Sequence, residues 1–168
     1  SGNTVAVGES YPEPEVLLGA LAARRGELKN VRIMGINPMH DPGWYQPGWS
    51  DSFNVVLQNY LGEVARPAYD AGLIDYYPAI YSQEFKHYHE HRSPDQHLDV
   101  NLAVVSPPDE HGFCSFGEGV WDKRRMAQTA EVVLVQIDES FIRTYGTNYL
   151  HVSEIDRFVE NPTMDMTR

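Results

Sequence analysis

The chain alternates short apolar runs with helical segments, and this alternation limits the folds that it can adopt. Residues 3–10 (NTVAVGES) are typical of a strand that enters a glycine-containing turn. Residues 12–26 are typical of a helix, with an apolar stripe and a glycine at the end. Residues 30–37 (NVRIMGIN) are typical of a second strand. A strand–helix–strand unit predicts a parallel sheet that is covered by helices.

The remainder of the chain continues this pattern. Two more helices are predicted, one over 52–72 that Pro67 and Gly72 break up, and one over 122–130. Further strands are predicted over 73–80, 98–107 and 131–138, with a short one over 113–119. The fold class is therefore α/β: one domain with a three-layer α/β/α architecture and a mostly parallel sheet. In such sheets ligands bind beyond the carboxyl ends of the strands, here the loops after Val7, Ile36, Val105 and Ile137.

Charge and cysteine content narrow the function classes. The formal net charge of −11 over 168 residues argues against nucleic acid and against an anionic membrane surface as partners. The single cysteine, Cys114, leaves no internal disulfide and fits a reducing compartment. The amino terminus carries neither an initiator methionine nor a signal-peptide pattern, so we expect a trimmed start and a cytoplasmic protein.

The segment VVSPPDEHGFCSFG (104–117) concentrates the chemistry of the chain, directly after the clearest strand. Its prolines fix the backbone, its acidic pair offers an acid, a base or capping groups, and its glycines let backbone approach a ligand. These residues are, in chain order, Pro107, Pro108, Asp109, Glu110, Gly112 and Gly117. The alternative interpretation is a rigid turn with solvated charges.

Three other features have a functional and a structural interpretation. His87, His89 and His91 could bind zinc if they lay on a strand, but their polar surroundings favour a solvated loop. Cys114 could act as a nucleophile with His111 as its base, but its phenylalanine neighbours favour a buried thiol. Arg143 follows a strand and could either hold a carboxylate or phosphate or form a structural ion pair.

Four segments, in their order along the chain, resemble the acetyl-CoA hydrolase/transferase family, which includes 4-hydroxybutyrate CoA-transferase and acetate- and succinate-using CoA-transferases. The segments are SGNTVAVGESYPEPEVLLGALAAR, ARPAYDAGLIDYYP, LDVNLAVVSPPDEHGFCSFG and RTYGTNYLHVSEID. The third is the most specific, and the four together span nearly the whole chain. The resemblance implies the CoA-transferase-like superfold, with residues 1–168 as the amino-terminal domain and the carboxyl-terminal catalytic domain absent from this chain.

The family also implies a mechanism and a set of site residues. Its members move CoA between an acyl-CoA and a short-chain carboxylate through a glutamyl-CoA thioester, and the glutamate lies in the carboxyl-terminal domain. No catalytic residue and no metal ligand is therefore expected in this chain, no cofactor is expected, and the CoA thioester is a substrate. By resemblance, the substrate pocket includes Glu9, Ser106, Pro107, Pro108, Asp109, Glu110, Gly112, Ser115, Gly117, Asp138, Arg143 and Gly146. Expected partners are the missing domain or a partner subunit, and further copies in a homo-oligomer.

The chain departs from the family pattern after its last predicted strand. Where the family reads E-V-N-x-x-M-P-R-T-x-G, this chain reads QIDESFIRTYG, so Gln136 and Asp138 replace a glutamate and an asparagine. The exchange at Asp138 removes hydrogen-bond donors and bears on the choice of acyl acceptor. The competing hypotheses are a stand-alone acyl- or CoA-binding module, an acyl-CoA hydrolase, and a metal-dependent hydrolase that uses the three histidines.

Overall fold

A computed structural model describes residues 1–8, 12–80, 82, 86, 90, 97–119 and 121–161. The nine strands are β1 (Thr4–Val7), β2 (Val31–Gly35), β3 (Phe53–Gln58), β4 (Asp75–Tyr77), β5 (Val100–Val105), β6 (Phe113–Ser115), β7 (Val132–Asp138), β8 (Tyr149–His151) and β9 (Arg157–Asn161). The helices of the described part are α1 (Glu15–Ala23), α2 (Gly62–Asp70) and α3 (Lys123–Thr129), with a 3₁₀ turn over Val152–Glu154. Each of these helices is too short to cross a lipid bilayer.

Seven strands form one parallel sheet in the order β4-β3-β2-β1-β5-β7-β9. The chain builds outward from β1 in one direction as far as β4, and then returns to place β5 on the other side of β1. The carboxyl ends of β1 and β5 therefore flank the point at which the strand order reverses. A crevice forms at such a point because the connections leave to opposite sides.

The two faces of the sheet are covered by different layers, as the sequence predicts. On one face, α1 and α2 pack through Leu18 and Ala65 against side chains such as Val5, Ile33 and Leu57. On the other face, α3 and the small antiparallel sheet of β6 and β8 pack against the alternate side chains of β5 and β7. This alternation arises because successive side chains of a strand point to opposite faces.

The first part of the predicted helix over 52–72 is wrong, because residues 53–58 form the strand β3. This segment is buried on both sides between β2 and β4, so its apolar residues run almost continuously and show no strand-like alternation. The helix that follows includes Pro67 instead of breaking there. It ends before Gly72, whose φ of +69° suits a left-handed cap residue.

Candidate functional site

The loop from 106 to 112 leaves β5 at the strand-order reversal and is closed at its base by two serines. The backbone N–H of Ser106 donates to the carbonyl of Ser115 at 2.8 Å, and the N–H of Ser115 donates to Oγ of Ser106 at 2.9 Å. Both serines are almost fully buried. Since both ends of the loop are tied to each other, its intervening residues have a fixed origin beyond the sheet.

Arg143 connects the loop to the segment after β7. Its Nη1 donates to Oγ of Ser106 at 3.0 Å and to the carbonyl of Pro107 at 2.9 Å. Its Nη2 donates to Oδ2 of Asp109 at 3.0 Å and to the carbonyl of Phe113 at 2.9 Å. The two terminal nitrogens thus meet four acceptors of the protein itself, and the guanidinium lies over the ring of Tyr149 at 5.7 Å. Of the two interpretations of Arg143, the structure supports the structural ion pair.

Asp109 is the second organiser of the loop. Its Oδ1 accepts hydrogen bonds from the backbone N–H of Phe113 at 2.9 Å and of His111 at 3.0 Å, and its Oδ2 faces Arg143. The hydrogen bond from Phe113, assisted by His111 and by the positive charge of Arg143, holds the pKa of this carboxyl below its ordinary value. The side chain is therefore a fixed anion that shapes the loop.

Two glycines are required by the geometry of the loop. Gly112 has a φ of +82°, and a Cβ there would lie 2.9 Å from Nε2 of His151. Gly117 has a φ of +61°, and a Cβ there would run into the ring of Phe141. Both positions combine a left-handed backbone with close packing, so neither admits a side chain without rearrangement.

Thr144 and Asn148 support the far end of the same loop. Oγ1 of Thr144 donates to the carbonyl of Gly117 at 2.5 Å, and Nδ2 of Asn148 donates to Oγ1 of Thr144. The backbone N–H of Thr144 also approaches Oγ of Ser115 at 3.3 Å. The sequence indicated the RTYG segment only through Arg143 and Gly146, and the roles of these two residues were missed.

The carboxyl end of β7 places Gln136 and Asp138 on the face of the sheet that α1 covers. Gln136 is fully buried, and its Oε1 accepts from the backbone N–H of Val16 in the first turn of α1 at 2.9 Å. Asp138 is also buried, and its Oδ1 accepts from the N–H and the hydroxyl of Ser140 at 2.9 and 2.6 Å. These contacts join the helix start and the turn after β7 to one strand end.

Glu13 and His40 form a cluster that the sequence did not single out. The buried carboxylate of Glu13 accepts from the backbone N–H of Met39 at 3.1 Å and of His40 at 3.0 Å, and contacts Nδ1 of His40 at 2.9 Å. Burial raises the pKa of the Glu13 carboxyl, and the hydrogen bonds from His40 and Met39 oppose this effect only in part. The sequence signal was the PEPE segment, interpreted only as a helix start.

An open groove continues the carboxyl edge of the sheet beyond β2 and β3. It has a volume of about 1130 Å³ and is bordered by Asn37, Asn59, Tyr60, Arg66 and Tyr76 among others. Asn37 and Asn59 have left-handed backbones, with φ of +48° and +55°, directly after their strands. The edge that carries the 106–112 loop is therefore continuous with a broad concave surface.

The remaining predicted site residues differ in their surroundings. Pro108 and Glu110 are exposed, and Oε1 of Glu110 lies 3.5 Å from Nε2 of the equally exposed His111. Gly146 is exposed, and a Cβ there would meet open space. Glu9 and the histidines at 87, 89 and 91 lie outside the described residues. Cys114 is buried, and burial raises the pKa of its thiol, as expected for the structural interpretation.

One group of side chains in the described part could offer three ligands to a metal ion. It consists of His97, Asp99 and Glu131, whose ligand atoms all lie within 4.8 Å of one another. Nε2 of His97 is 3.1 Å from Oε1 of Glu131 and 3.6 Å from Oδ1 of Asp99. The group lies at the amino ends of β5 and β7, the opposite edge of the sheet from the 106–112 loop.

Known proteins resemble this chain over nearly its whole length. The family model "Acetyl-CoA hydrolase/transferase N-terminal domain" matches residues 1–167. The chain is 29% identical to the 4-hydroxybutyrate coenzyme A transferase of Clostridium kluyveri, with 93% of this chain and 35% of the relative covered. It is 30% identical to the butyryl-CoA:acetate CoA-transferase of Anaerostipes caccae, with 98% of this chain and 37% of the relative covered.

Solved structures agree with the sequence comparison. The crystal structure of RipA from Yersinia pestis superposes with a TM-score of 0.84 at 25% identity, over 96% of this chain and 39% of that one. A 4-hydroxybutyrate CoA-transferase from Porphyromonas gingivalis has the same fold, with a TM-score of 0.63 at 21% identity, over 95% of this chain and 35% of that one. The chain thus spans little more than a third of the length of these relatives. Because the family model covers almost every residue, the chain belongs to the acetyl-CoA hydrolase/transferase family and corresponds to its amino-terminal domain.

Proposed function

We propose that this chain forms one wall of the active site of a CoA-transferase that moves CoA between an acyl-CoA and a short-chain carboxylate. The observation that carries the proposal is the 106–112 loop, which Arg143 and Asp109 hold at the carboxyl ends of the strands beside the strand-order reversal. The named relatives are CoA-transferases for 4-hydroxybutyrate, butyrate and acetate, which supports this substrate class.

The nucleophile in this proposal is a glutamate outside the chain, in a carboxyl-terminal catalytic domain or a partner subunit. A glutamyl-CoA thioester forms there, and a second carboxylate then accepts the CoA. A carboxylate is a weak nucleophile, so the reaction needs a desolvated cleft with oriented donors around the thioester oxygen. The relatives are nearly three times as long as this chain, which leaves room for a second wall.

The chain's own contribution is a rigid surface for the acyl group. Buried serines, the two constrained glycines and the anion of Asp109 are all held by hydrogen bonds within the domain, so they lose little freedom when substrate binds. In the proposal, Glu9, Pro107, Pro108, Glu110, Asp138, Arg143 and Gly146 border or support the same pocket. The working enzyme is a cytoplasmic homo-oligomer that needs no added cofactor.

The test is an assay of CoA transfer from acetyl-CoA to acetate, butanoate and other short carboxylates. We would compare this 168-residue chain with the whole product of its gene. Transfer by the whole product, with none by the short chain, supports the proposal. Turnover by the short chain would move the nucleophile into these residues, and thioester hydrolysis without any dependence on a carboxylate would favour an acyl-CoA hydrolase.

Two matched variants of the whole product show whether the loop takes part. Asp109→Asn keeps the size of the side chain but removes the charge that faces Arg143. Glu27→Gln makes the same kind of change at an exposed residue that pairs only with Arg24 among the described contacts. We expect Asp109→Asn to lower kcat/KM for transfer and Glu27→Gln to leave it unchanged. Equal activity of both variants would remove the loop from the active site.

A further inference from the structure

Gln136 and Asp138 each carry one side-chain atom that the folded chain does not use. Gln136 spends Oε1 on the start of α1, while its Nε2 is buried without a hydrogen-bond partner. Asp138 spends Oδ1 on Ser140, while its Oδ2 is buried without a partner. Their relative exposures are 0% and 2%, so bulk water does not supply the missing bonds. Buried polar groups without partners are rare and destabilising in native proteins, and each therefore requires an explanation.

The two unused atoms belong to one place in the fold. Residues two apart on a strand face the same way, and their Cα atoms are separated by about 7 Å along the strand. Both face the side of the sheet on which α1 begins, and Gln136 reaches the first turn of that helix directly. Both stand at the carboxyl end of β7, next to β5 and its site loop. They therefore lie at the edge of the sheet where the proposed function locates the acyl group.

The chemistry of the pair selects one type of ligand group. Nε2 of Gln136 is a donor, and Oδ2 of Asp138 is a carboxylate acceptor. An ammonium group would satisfy Asp138 but has no lone pair for Gln136. A ketone or a second carboxylate would satisfy Gln136 but offers no proton to Asp138, and a carboxylate would also repel it. A hydroxyl both donates and accepts, so a single hydroxyl can satisfy both atoms.

We propose that Gln136 and Asp138 are specificity-determining residues that recognise a hydroxyl group on the short-chain acid. This inference rests on the proposed function, because the acid is the acyl group or the CoA acceptor of that reaction. A site that has buried polar atoms for a hydroxyl discriminates strongly against the analogue without it, since the analogue leaves those atoms without partners. The preferred acid therefore carries a hydroxyl group, and the plain alkyl acid is a poor substrate.

The experiment uses the whole gene product and compares 2-, 3- and 4-hydroxybutanoate with butanoate. Binding of each acid is measured by calorimetry, and kcat/KM for CoA transfer from acetyl-CoA is measured in parallel. We expect at least one hydroxy acid to exceed butanoate by roughly tenfold or more in both measurements. Equal values for butanoate and all three hydroxy acids would overturn the inference. An ordered water between the two side chains, with no such preference, would lead to the same conclusion.

Isosteric variants test the two atoms separately. Gln136→Glu keeps an acceptor for Val16 and removes the unused donor. Asp138→Asn keeps an acceptor for Ser140 and replaces the unused acceptor by a donor. Each single variant should reduce the hydroxy-acid preference roughly tenfold. The double variant again presents one donor and one acceptor, so it should recover most of the preference.

This recovery separates recognition from a structural role. If the residues only support α1 and the turn after β7, the single variants will lower the melting temperature without changing the ratio of hydroxy acid to butanoate. The control variants Gln128→Glu and Asp51→Asn make the same exchanges at exposed positions and should change neither quantity. Selective binding without any CoA transfer would overturn the proposed function and leave this inference standing, whereas transfer without selectivity would do the reverse.

Discussion

Nη2 of Arg143 lies 3.0 Å from Oδ2 of Asp109, and this ion pair joins two residues that are 34 positions apart in the chain. The pair fixes the loop after β5 to the segment after β7, at the edge of the sheet where the strand order reverses. Its side chains are 36% and 34% exposed, so the charge attraction alone contributes little. The stabilisation comes from geometry, because the same guanidinium also binds two backbone carbonyls and a serine hydroxyl.

Replacement of Arg143 should therefore loosen the loop more than loss of one surface ion pair would. We expect Arg143→Ala to lower the free energy of unfolding by about 1–2 kcal/mol. Arg143→Lys should recover part of this loss, because one ammonium can face Asp109 but cannot reach four acceptors. Urea denaturation followed by circular dichroism measures both variants. If lysine proved as good as arginine, the fork geometry would have no role.

The lowered pKa of Asp109 predicts a pH dependence of stability. A carboxyl whose folded-state pKa lies below its unfolded value stabilises the protein above the unfolded pKa, and this contribution is lost as pH falls through the folded-state pKa. Asp109→Asn should therefore lower the melting temperature near pH 7, with a difference from wild type that shrinks below about pH 4. Melting curves between pH 3 and pH 7 measure this. A difference that stays constant over that range would contradict the assignment.

Gly117 allows a clash to be separated from backbone strain. Gly117→Ala should destabilise the domain by about 1–3 kcal/mol, since the new methyl group meets the ring of Phe141 and the backbone is left-handed. Gly72→Ala is the matched control, because its φ of +69° is similar but a Cβ there meets nothing within 4 Å. It should cost only the backbone part, about 1 kcal/mol. Equal losses in chemical denaturation would show that the Phe141 contact does not matter.

Burial of Cys114 predicts a slow thiol. Burial raises the pKa of its side chain, and the thiolate is the reactive form, so the native protein should react with Ellman's reagent far more slowly than a free thiol at pH 8. One equivalent should react at once when the protein is unfolded in guanidinium chloride. Rapid labelling of the native state would show that β6 opens readily or that the thiol is activated.

Much of the architecture was predictable because it depends on local patterns. Val5 and Val7 face one layer and Ala6 the other, and similar alternation along the strands, interrupted by helices, predicts a parallel sheet with two outer layers. The pattern failed at β3, where Val55, Val56 and Leu57 are all buried, because a central strand that is covered on both faces resembles part of a buried helix. Pro67 misled for a related reason: one lost hydrogen bond did not prevent packing of α2.

The candidate site was predictable only as a set of segments. The proline, glycine and acid content of 104–117 marked the loop, and the family resemblance marked Asp138 and Arg143. Nothing in the sequence indicated that Arg143 meets Ser106, or that Glu13 is buried against His40. Such contacts join residues far apart in the chain, and a residue's own neighbours in sequence do not encode them.

By itself, the sequence determined the class of fold, the family and the loop that matters, because strand periodicity, turn residues and a specific motif are all local properties. The tertiary structure alone decided how the side chains are used. It directs all four N–H groups of Arg143's terminal nitrogens inward to the loop, and it leaves Nε2 of Gln136 and Oδ2 of Asp138 buried without partners at the end of β7. The reason is physical: hydrogen-bond partnership depends on distance and burial in three dimensions, which are set when β5 and β7 pair and α1 packs across them.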